Sequence, residues 1–350
     1  VKKELVVWSH LTDVQREMYE KYVVDGGKVS AILSGEISSP LVAITWLKKL
    51  CDHPSLVDDC GIALERDELI GNSAKLNILV DLVLRLKKSG HRCLIFSPST
   101  KILDIIEKVL DTKINMGRID GSVNGKQRQV IVDQFNDDEE KYDALLISTK
   151  AGGVGLTLTG ADRAILFSPS WNPADDNQAV DRCYRIGQRK NVTVYRFITA
   201  GTVEERMYEK QVHKDGIRRT LVTSSGSATE RHFTSDDLRR LFVLGPKGEC
   251  KMLETIKKAT NSGVKGSSGK RSFLETHQQV VGVSSHDLVY QNKVIDLVEP
   301  ESPFAGTPLK RTTSRISDKK SSLPIKHLTF SELARDHQNS VGNTSHRASI

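Results

Sequence analysis

The sequence is short of the features that mark several large classes of protein. No apolar run approaches the roughly 18 residues that a membrane-spanning helix needs, and the chain does not open with a basic stretch followed by an apolar one. The five cysteines show no C-x-x-C spacing, which argues against a zinc ribbon or a disulfide framework. We therefore expect a soluble, intracellular protein with reduced thiols, no metal site and no membrane contact.

A phosphate-binding loop is also missing. The pattern G-x-x-x-x-G-K-[ST] cradles phosphates with its backbone N–H groups, and the nearest match, Gly26-Gly-Lys28, has Tyr22 in place of the first glycine. The acidic residues at 137–140 follow no strand that would direct them at Mg²⁺. We therefore expect that the chain cannot hold a nucleotide's phosphates by itself. Because it begins at Val1 rather than methionine, we also expect it to be part of a longer protein.

Positive charge is concentrated toward the carboxyl terminus. The formal net charge is +7, and most of that surplus lies in residues 251–350. This stretch is rich in Ser, Thr, Gly and Lys, a composition that buries too little apolar area to offset the entropy of ordering. We therefore expect residues 246–350 to be a mostly disordered basic tail. Any polyanion-binding surface in the folded part must then be local.

Short apolar runs alternate with helical patterns between residues 75 and 198. The runs are continuous rather than alternating, which is typical of parallel strands buried on both faces. They lie at 93–96, 144–147, 164–167 and 192–195. Helical periodicity fills the intervals, at 76–87, 100–110, 125–135 and 175–185. The sequence therefore predicts an α/β lobe with a parallel sheet flanked by helices.

Helical patterns also lie on both sides of this lobe. After a strand-like run at 4–8, the capping box Thr12-x-x-Gln15 opens an amphipathic helix, and a second helix is predicted at 41–51. A further capping box begins at Thr202. We expect four regions: a helical segment at 1–70, the α/β lobe at 71–200, a helical extension at 201–245 and the tail at 246–350.

Residues 177–188, Asn-Gln-Ala-Val-Asp-Arg-Cys-Tyr-Arg-Ile-Gly-Gln, carry the strongest chemical signal. On the predicted helix, Gln178, Arg182 and Arg185 have the spacing i, i+4, i+7 and would share one face. Two guanidinium groups on one face suit the phosphates of a nucleotide, because each binds phosphate oxygens in a bidentate manner. The spacing equally allows a solvated basic helix face, or a local ion pair of Asp181 with either arginine.

A glycine-rich segment, Ser148 to Gly155, follows the apolar run that ends at Ile147. At the carboxyl end of a buried strand, the backbone N–H groups of such a turn can bind a phosphate. A tight connection from a strand to a helix also needs glycines. A purely structural role for this segment therefore stays open.

The order of these signals resembles helicase motifs IV, V and VI of the SWI/SNF branch of superfamily 2. The segments that carry the resemblance are Cys93–Ser97, Ile119–Ser122, Arg128–Asn136, Ser148–Leu158, Ser170–Pro173 and Gln178–Gln188. The Trp-Asn-Pro and Asp-Arg-x-x-Arg-Ile-Gly-Gln strings are its most specific parts. The resemblance covers residues 1–215 and is strongest to the Cockayne-syndrome-B-like branch.

This resemblance implies a RecA-like carboxyl-terminal helicase lobe and a role for each motif residue. Arg182 and Arg185 would be arginine fingers, with Gln178, Asp181 and Gly153 beside them at the nucleotide. The residues along the nucleic-acid track would be Ser97, Thr149, Lys150, Gly152 and Trp171. Many members of the family carry arginine where this chain has Lys150, which keeps the charge but loses bidentate phosphate binding.

The resemblance also implies cofactors, partners and a function. ATP and Mg²⁺ would be bound mainly by an amino-terminal RecA-like lobe, and double-stranded DNA, bare or in nucleosomes, would be the track in the nucleus. The implied function is ATP-dependent translocation on duplex DNA in chromatin remodelling, DNA repair or chromosome segregation. A truncated, non-catalytic fragment that binds DNA or protein is the alternative, because the phosphate loop is missing. An RNA helicase would share the lobe but not the Trp171-Asn-Pro173 string.

Overall fold

Seven strands form one sheet in the computed structural model, which describes residues 1–24, 40–57, 64–152, 155–221, 240–260, 272–289 and 294. The strands are β1 (Lys2–Ser9), β2 (Cys93–Ser97), β3 (Met116–Ile119), β4 (Ala144–Ser148), β5 (Arg163–Leu166), β6 (Val192–Thr199) and β7 (Val280–Ser285). Their order across the sheet is β3-β4-β2-β5-β6-β1-β7. The first six are parallel, and β7 joins β1 in the antiparallel direction. The predicted α/β fold is confirmed.

Helices connect and cover these strands. In chain order they are α1 (Asp13–Val24), α2 (Leu41–Asp52), α3 (Arg66–Asn72), α4 (Ala74–Lys88), α5 (Thr100–Leu110), α6 (Gly125–Asp137), α7 (Thr149–Gly152), α8 (Pro173–Val180), α9 (Val203–Leu221), α10 (Lys251–Thr260), α11 (Phe273–Thr276) and α12 (His286–Val289). Within the described part of the chain, none of them is both long enough and apolar enough to cross a membrane. The helices predicted at 76–87, 100–110 and 125–135 are confirmed as α4, α5 and α6.

Both faces of the sheet are buried because successive strand residues alternate between two apolar clusters. On one face, Ile95 of β2 packs with the apolar sides of α4 and α5. On the other face, Leu94 and Phe96 of the same strand pack with Phe135 of α6 and Val180 of α8. Neighbouring side chains on a strand point to opposite faces. The continuous apolar runs in the sequence are therefore explained by this double burial.

The amino-terminal residues contribute a strand as well as helices. β1 pairs with β6 along its whole length, from Lys2 opposite Val192 to Ser9 opposite Thr199. The strand-like run predicted at 4–8 is therefore a strand, and it belongs to the sheet of the lobe. A local sequence pattern gives the strand but not its partner, which lies almost 200 positions later in the chain.

A pair of side-chain caps marks the start of α1. At α1 the Gln15 N–H donates to the Thr12 Oγ1, and the Thr12 N–H donates to the Gln15 Oε1, each at 3.2 Å. The predicted capping box is therefore confirmed. The apolar sides of α1, α2 and α9 pack together in a third cluster that includes Tyr19, Leu47 and Val203. The helical segment thus packs against the helix that follows the sheet.

The carboxyl-terminal region contains folded elements where the sequence predicts a tail at 246–350. α10 buries Leu253 against Trp8, and β7 extends the sheet beside β1. The prediction of disorder is therefore wrong for residues 251–260 and 272–289. It fails because β7 is stabilised by backbone hydrogen bonds to a strand already in place, which an average over composition does not register. Residues 261–271, 290–293 and 295–350 of the predicted tail lie outside the described residues.

A buried ion cluster joins the helical segments to the lobe. The Nζ of Lys75 on α4 lies 3.0 Å from Oδ1 of Asp52 on α2 and 2.6 Å from Oε1 of Glu204 on α9. The side chain of Lys75 is 1% exposed. Burial alone would lower the pKa of Lys75, but the two carboxylates raise it, so the ammonium group stays charged. The cluster holds α2 and α9 against α4, because separating them would leave buried charges unpaired.

We expect Lys75→Met to lower the free energy of unfolding of this chain by about 3–5 kcal/mol, because two buried carboxylates lose their counter-ion. Unfolding in urea measures this change. The matched control is Lys87→Met, which breaks a partly exposed pair with Asp143 at 2.8 Å and should cost less than about 1 kcal/mol. Equal losses in the two variants would show that the buried cluster does not stabilise the fold.

Candidate functional site

Three of the predicted nucleic-acid residues lie together at the carboxyl edge of β2 and β4. Ser97 and Ser148 end these strands and lie opposite each other in the register, and Thr149 and Lys150 begin α7 directly after β4. Ser97 is buried, and its Oγ accepts a hydrogen bond from the Ser99 N–H at 3.2 Å. Lys150 is exposed. The edge therefore presents a lysine to solvent beside two hydroxyl side chains that are largely covered.

The glycines of the same segment are only partly described. Gly152 ends α7, whereas Gly153 lies outside the described residues. The segment does follow the carboxyl end of a buried strand, as the sequence predicts. Its binding of a phosphate stays a prediction.

Trp171 lies in the connection from β5 to α8, at the same edge of the sheet. The Ser170 N–H donates to both carboxylate oxygens of Asp176, at 3.2 and 3.0 Å, and the side chain of Asn172 caps the first turn of α8. The carbonyl groups of Ser170 and Trp171 accept hydrogen bonds from Gln211 on α9, at 2.8 and 3.3 Å. The half-buried Trp171 ring packs on the cluster formed by α1, α2 and α9. The Trp-Asn-Pro string is thus a fixed helix start that contacts the helical segment.

The segment that carries the arginines is a turn rather than the predicted helix. α8 ends at Val180, and Arg182 and Arg185 lie among the turns and bends of residues 181–188, which we name the arginine turn. Gln178 stays on α8. The predicted stripe with the spacing i, i+4, i+7 is therefore wrong, and so is its alternative, a solvated basic helix face.

Tertiary hydrogen bonds explain why the helix stops. In a continuing helix, the carbonyl groups of Arg182 and Cys183 would accept the N–H groups four residues later. Instead, the Arg182 carbonyl accepts the Leu158 N–H at 3.0 Å, and the Cys183 carbonyl accepts the Gln188 Nε2 at 3.2 Å. Gly187 has a φ of 105°, a conformation that glycine adopts without strain. Contacts from elsewhere in the chain thus override the local helical preference.

Gln188 attaches the arginine turn to the segment at 155–161. Its Nε2 also donates to the carbonyl groups of Thr159 at 3.1 Å and Ala161 at 2.7 Å, and its Oε1 accepts the Lys190 N–H at 2.8 Å. The sequence motif contains Gln188 but assigns it no role. No local pattern could reveal this role, because the accepting carbonyl groups lie far away in the sequence.

Arg185 is exposed and tethered at one end of its guanidinium group. Its Nη1 donates to the Gly155 carbonyl at 3.3 Å and to the Thr157 hydroxyl at 3.2 Å. Thr157 is therefore a site residue that sequence reasoning missed. Asp181 forms an ion pair with Lys2 at 3.5 Å rather than with Arg185. The tether fixes where this guanidinium lies without neutralising it.

The predicted nucleotide-facing side chains meet on one surface. Gln178, Asp181, Arg182 and Arg185 line a single open depression, together with Tyr184, Ile186, Gly187 and Gln188. Ile186 is 99% exposed. Such an open, basic depression suits an anionic group that a partner domain holds against it, because this chain would enclose only a small part of that group. In the part of the chain that the structure describes, no group of three or more His, Cys, Asp or Glu residues is arranged to hold a metal ion.

The two candidate sites lie at opposite ends of α8. This helix begins after Trp171 at the carboxyl edge and runs back along the sheet. The arginine turn therefore lies toward the amino ends of the strands, as the Lys2–Asp181 pair shows. The connection from β4 to β5 contains Lys150 on α7 at one edge and Ala161 just before β5 at the other. One connection thus passes through both sites.

This fold is that of a RecA-like carboxyl-terminal helicase lobe. The family model described as the helicase conserved C-terminal domain matches residues 74–187. A solved structure titled "Sulfolobus solfataricus SWI2/SNF2 ATPase core in complex with dsDNA" is similar with a TM-score of 0.56 and 26% identity, over 70% of this chain and 51% of that one. The structure titled "Crystal structure of the C-terminal part of Fun30 ATPase domain" matches in fold, with a TM-score of 0.54 and 23% identity over 69% of this chain and 95% of that one.

The chain belongs to the SWI2/SNF2 family of helicase-like ATPases, as a carboxyl-terminal lobe. The "DNA excision repair protein ERCC-6-like" of Danio rerio is 38% identical over 332 residues, which are 86% of this chain and 23% of the relative. The "DNA repair protein rhp54" of Schizosaccharomyces pombe is 35% identical over 320 residues, 85% of this chain and 36% of the relative. The chain therefore spans about a quarter to a third of the length of these relatives.

We expect Gln188→Ala to loosen the arginine turn while leaving the fold intact, because it removes a donor shared by three carbonyl groups and the acceptor for the Lys190 N–H. Losing about 1–3 kcal/mol of local stability should speed amide exchange at Lys190 and Leu158 by about 10- to 100-fold. Hydrogen–deuterium exchange measures these amide exchange rates. The control is Gln129→Ala, whose side chain bonds only to Asp133 on the exposed side of α6. Unchanged exchange in the turn would contradict the role assigned to Gln188.

Proposed function

We propose that this chain is the second lobe of an ATP-driven translocase on double-stranded DNA and that it supplies two arginine fingers. The observation that carries the proposal is the open depression at the arginine turn, where Arg182 and Arg185 lie beside Gln178 and Asp181. A tethered but exposed guanidinium such as Arg185 is suited to a phosphate presented from outside the chain. The relatives whose names state DNA repair or chromatin remodelling support this choice.

In this proposal the lobe completes a catalytic site that another lobe begins. The partner lobe would hold the triphosphate and its Mg²⁺, and closure of the two lobes would bring Arg182 and Arg185 to the γ-phosphate. Charge that builds on the transferred phosphoryl group is stabilised by such guanidinium groups. Gln178 and Asp181 would orient the arginines, and Gly153 would lie at the nucleotide. The chain alone would then hydrolyse ATP negligibly.

The DNA would lie at the carboxyl edge of the sheet. Lys150 is exposed there, next to Thr149 and Ser97, and the connection with Trp171 begins at the same edge. Contacts from lysine, hydroxyl and backbone N–H groups, including that of Gly152, would go to phosphate oxygens. Such contacts position a protein on duplex DNA without reading its sequence. We propose a nuclear location and a substrate that is duplex DNA, either bare or wrapped in nucleosomes.

We expect Arg185→Ala in the full-length protein to lower kcat for DNA-stimulated ATP hydrolysis by about 10³- to 10⁵-fold, because the transition state loses a compensating charge. Steady-state ATPase assays at saturating duplex DNA measure the change. Arg189→Ala is the matched control, because Arg189 is exposed just beyond the arginine turn. Wild-type turnover in Arg185→Ala would refute the arginine-finger assignment and favour a non-catalytic binding role. Equal stimulation by duplex RNA would argue against DNA as the track.

We expect Lys150→Ala to weaken binding of duplex DNA uniformly across sequences and to reduce the slope of log K against log salt by about 1, because one phosphate contact is lost. Binding titrations at several salt concentrations measure the slope. The control is Lys88→Ala, an exposed lysine at the end of α4, near the opposite edge of the sheet. An unchanged slope in Lys150→Ala would remove this residue from the DNA track.

A further inference from the structure

A buried charge network lies between β1, β6 and α8. Arg196 on β6 donates from Nε and Nη2 to the Glu4 Oε2, at 3.1 and 2.8 Å. The same Nη2 donates to the Asn177 Oδ1 at 2.9 Å. The side chains of Arg196 and Glu4 are 8% and 13% exposed. One guanidinium thus joins the sheet to the helix that leads into the arginine turn.

The network continues from Glu4 to the end of that helix. The Lys2 Nζ lies 2.7 Å from the Glu4 Oε1 and 3.5 Å from the Asp181 Oδ1. Asn177 lies on α8, and Asp181 follows the last residue of that helix; the Asp181 N–H donates to the Asn177 carbonyl at 2.9 Å. Gln178 lies between them, and Arg182 follows directly. One residue of α8 is therefore joined to Glu4 through Arg196, and the residue that follows α8 is joined to Glu4 through Lys2.

Glu4 is the charged centre of this arrangement. Burial would raise its pKa, but Arg196, Lys2 and His286 together lower it from 4.5 to about 2. The Nε2 of His286 on α12 lies 3.9 Å from the Glu4 Oε2, and the His286 Nδ1 lies 2.6 Å from the Tyr208 hydroxyl on α9. The carboxylate thus stays ionised at neutral pH, and elements from both ends of the chain converge on it.

We propose that Glu4 and Arg196 are positioning residues that set where the arginine turn lies. Neither side chain lines the depression, so both would act through α8 on Arg182 and Arg185. Position matters because a displacement of about 1 Å at a catalytic group can cost about 100-fold in rate. The inference rests on the proposed arginine-finger role.

The test is the ATPase activity of the full-length protein with Glu4→Gln, which keeps the shape of the side chain and removes its charge. We expect kcat at saturating duplex DNA to fall by about 10- to 100-fold, with KM for ATP changed by less than about threefold, because the other lobe holds most of the nucleotide. The matched control is Glu107→Gln, which removes a carboxylate paired with Arg118 at 2.8 Å on α5. An unchanged kcat in Glu4→Gln, while Arg185→Ala is inactive, would overturn this inference alone.

A double-mutant cycle separates positioning from general destabilisation. If Glu4 acts through the arginine turn, Glu4→Gln should reduce kcat much less in an Arg185→Lys background than in the wild type. Independent, additive losses would show a merely structural role.

Lys2→Met supplies a second variant, because Lys2 is partly exposed and its loss leaves Glu4 paired with Arg196. A fall in kcat of about threefold or more, again with little change in KM, is expected; no fall would count against the network.

Discussion

Parallel pairing of six strands is the constraint on which the rest of this structure depends. Because β2 to β6 all run in one direction, every connection between them must return along a face of the sheet. α8 is one of these returns, and it starts at the edge where Trp171 lies and ends at the arginine turn. The connection after β4 is another, and it leads from Lys150 to Ala161. The separation of the two candidate sites follows from strand direction.

Buried charges then fix the helices that the sheet alone leaves adjustable. Apolar packing holds α2, α8 and α9 against their neighbours but is not directional. The ion pairs of Lys75 restrict how α2 and α9 can pack on α4. The hydrogen bond from Arg196 similarly restricts how α8 packs on the sheet. A buried ion pair adds little net stability compared with apolar residues of the same shape, whereas removing one partner is costly. These clusters therefore act chiefly by penalising wrong arrangements.

The sequence predicts those features whose cause is local. Continuous apolar runs predicted four strands of the lobe, β2, β4, β5 and β6, but not the short β3. Thr12 with Gln15 predicted the start of α1. Each of these features depends on residues a few positions apart. The arginine turn could not be predicted in this way, since Leu158, Thr159 and Ala161, which bond to it, lie far away in the sequence. Nor could β7, which is ordered by pairing with β1 at the other end of the chain. The motif strings identified the site residues, but not the backbone that presents them.

The attachment of the arginine turn has a mechanical consequence. The carbonyl groups of Gly155, Thr159 and Ala161 accept hydrogen bonds from Arg185 and Gln188. These carbonyl groups belong to the same connection that begins with Lys150 at the carboxyl edge. Any shift of that connection must therefore carry the arginine turn with it or break several hydrogen bonds at once. On its other side, α8 is attached to the sheet by the hydrogen bond from Arg196 to Asn177. The arginine turn thus lies between α8, which is attached to the sheet, and the connection that begins at Lys150, where we propose that DNA binds.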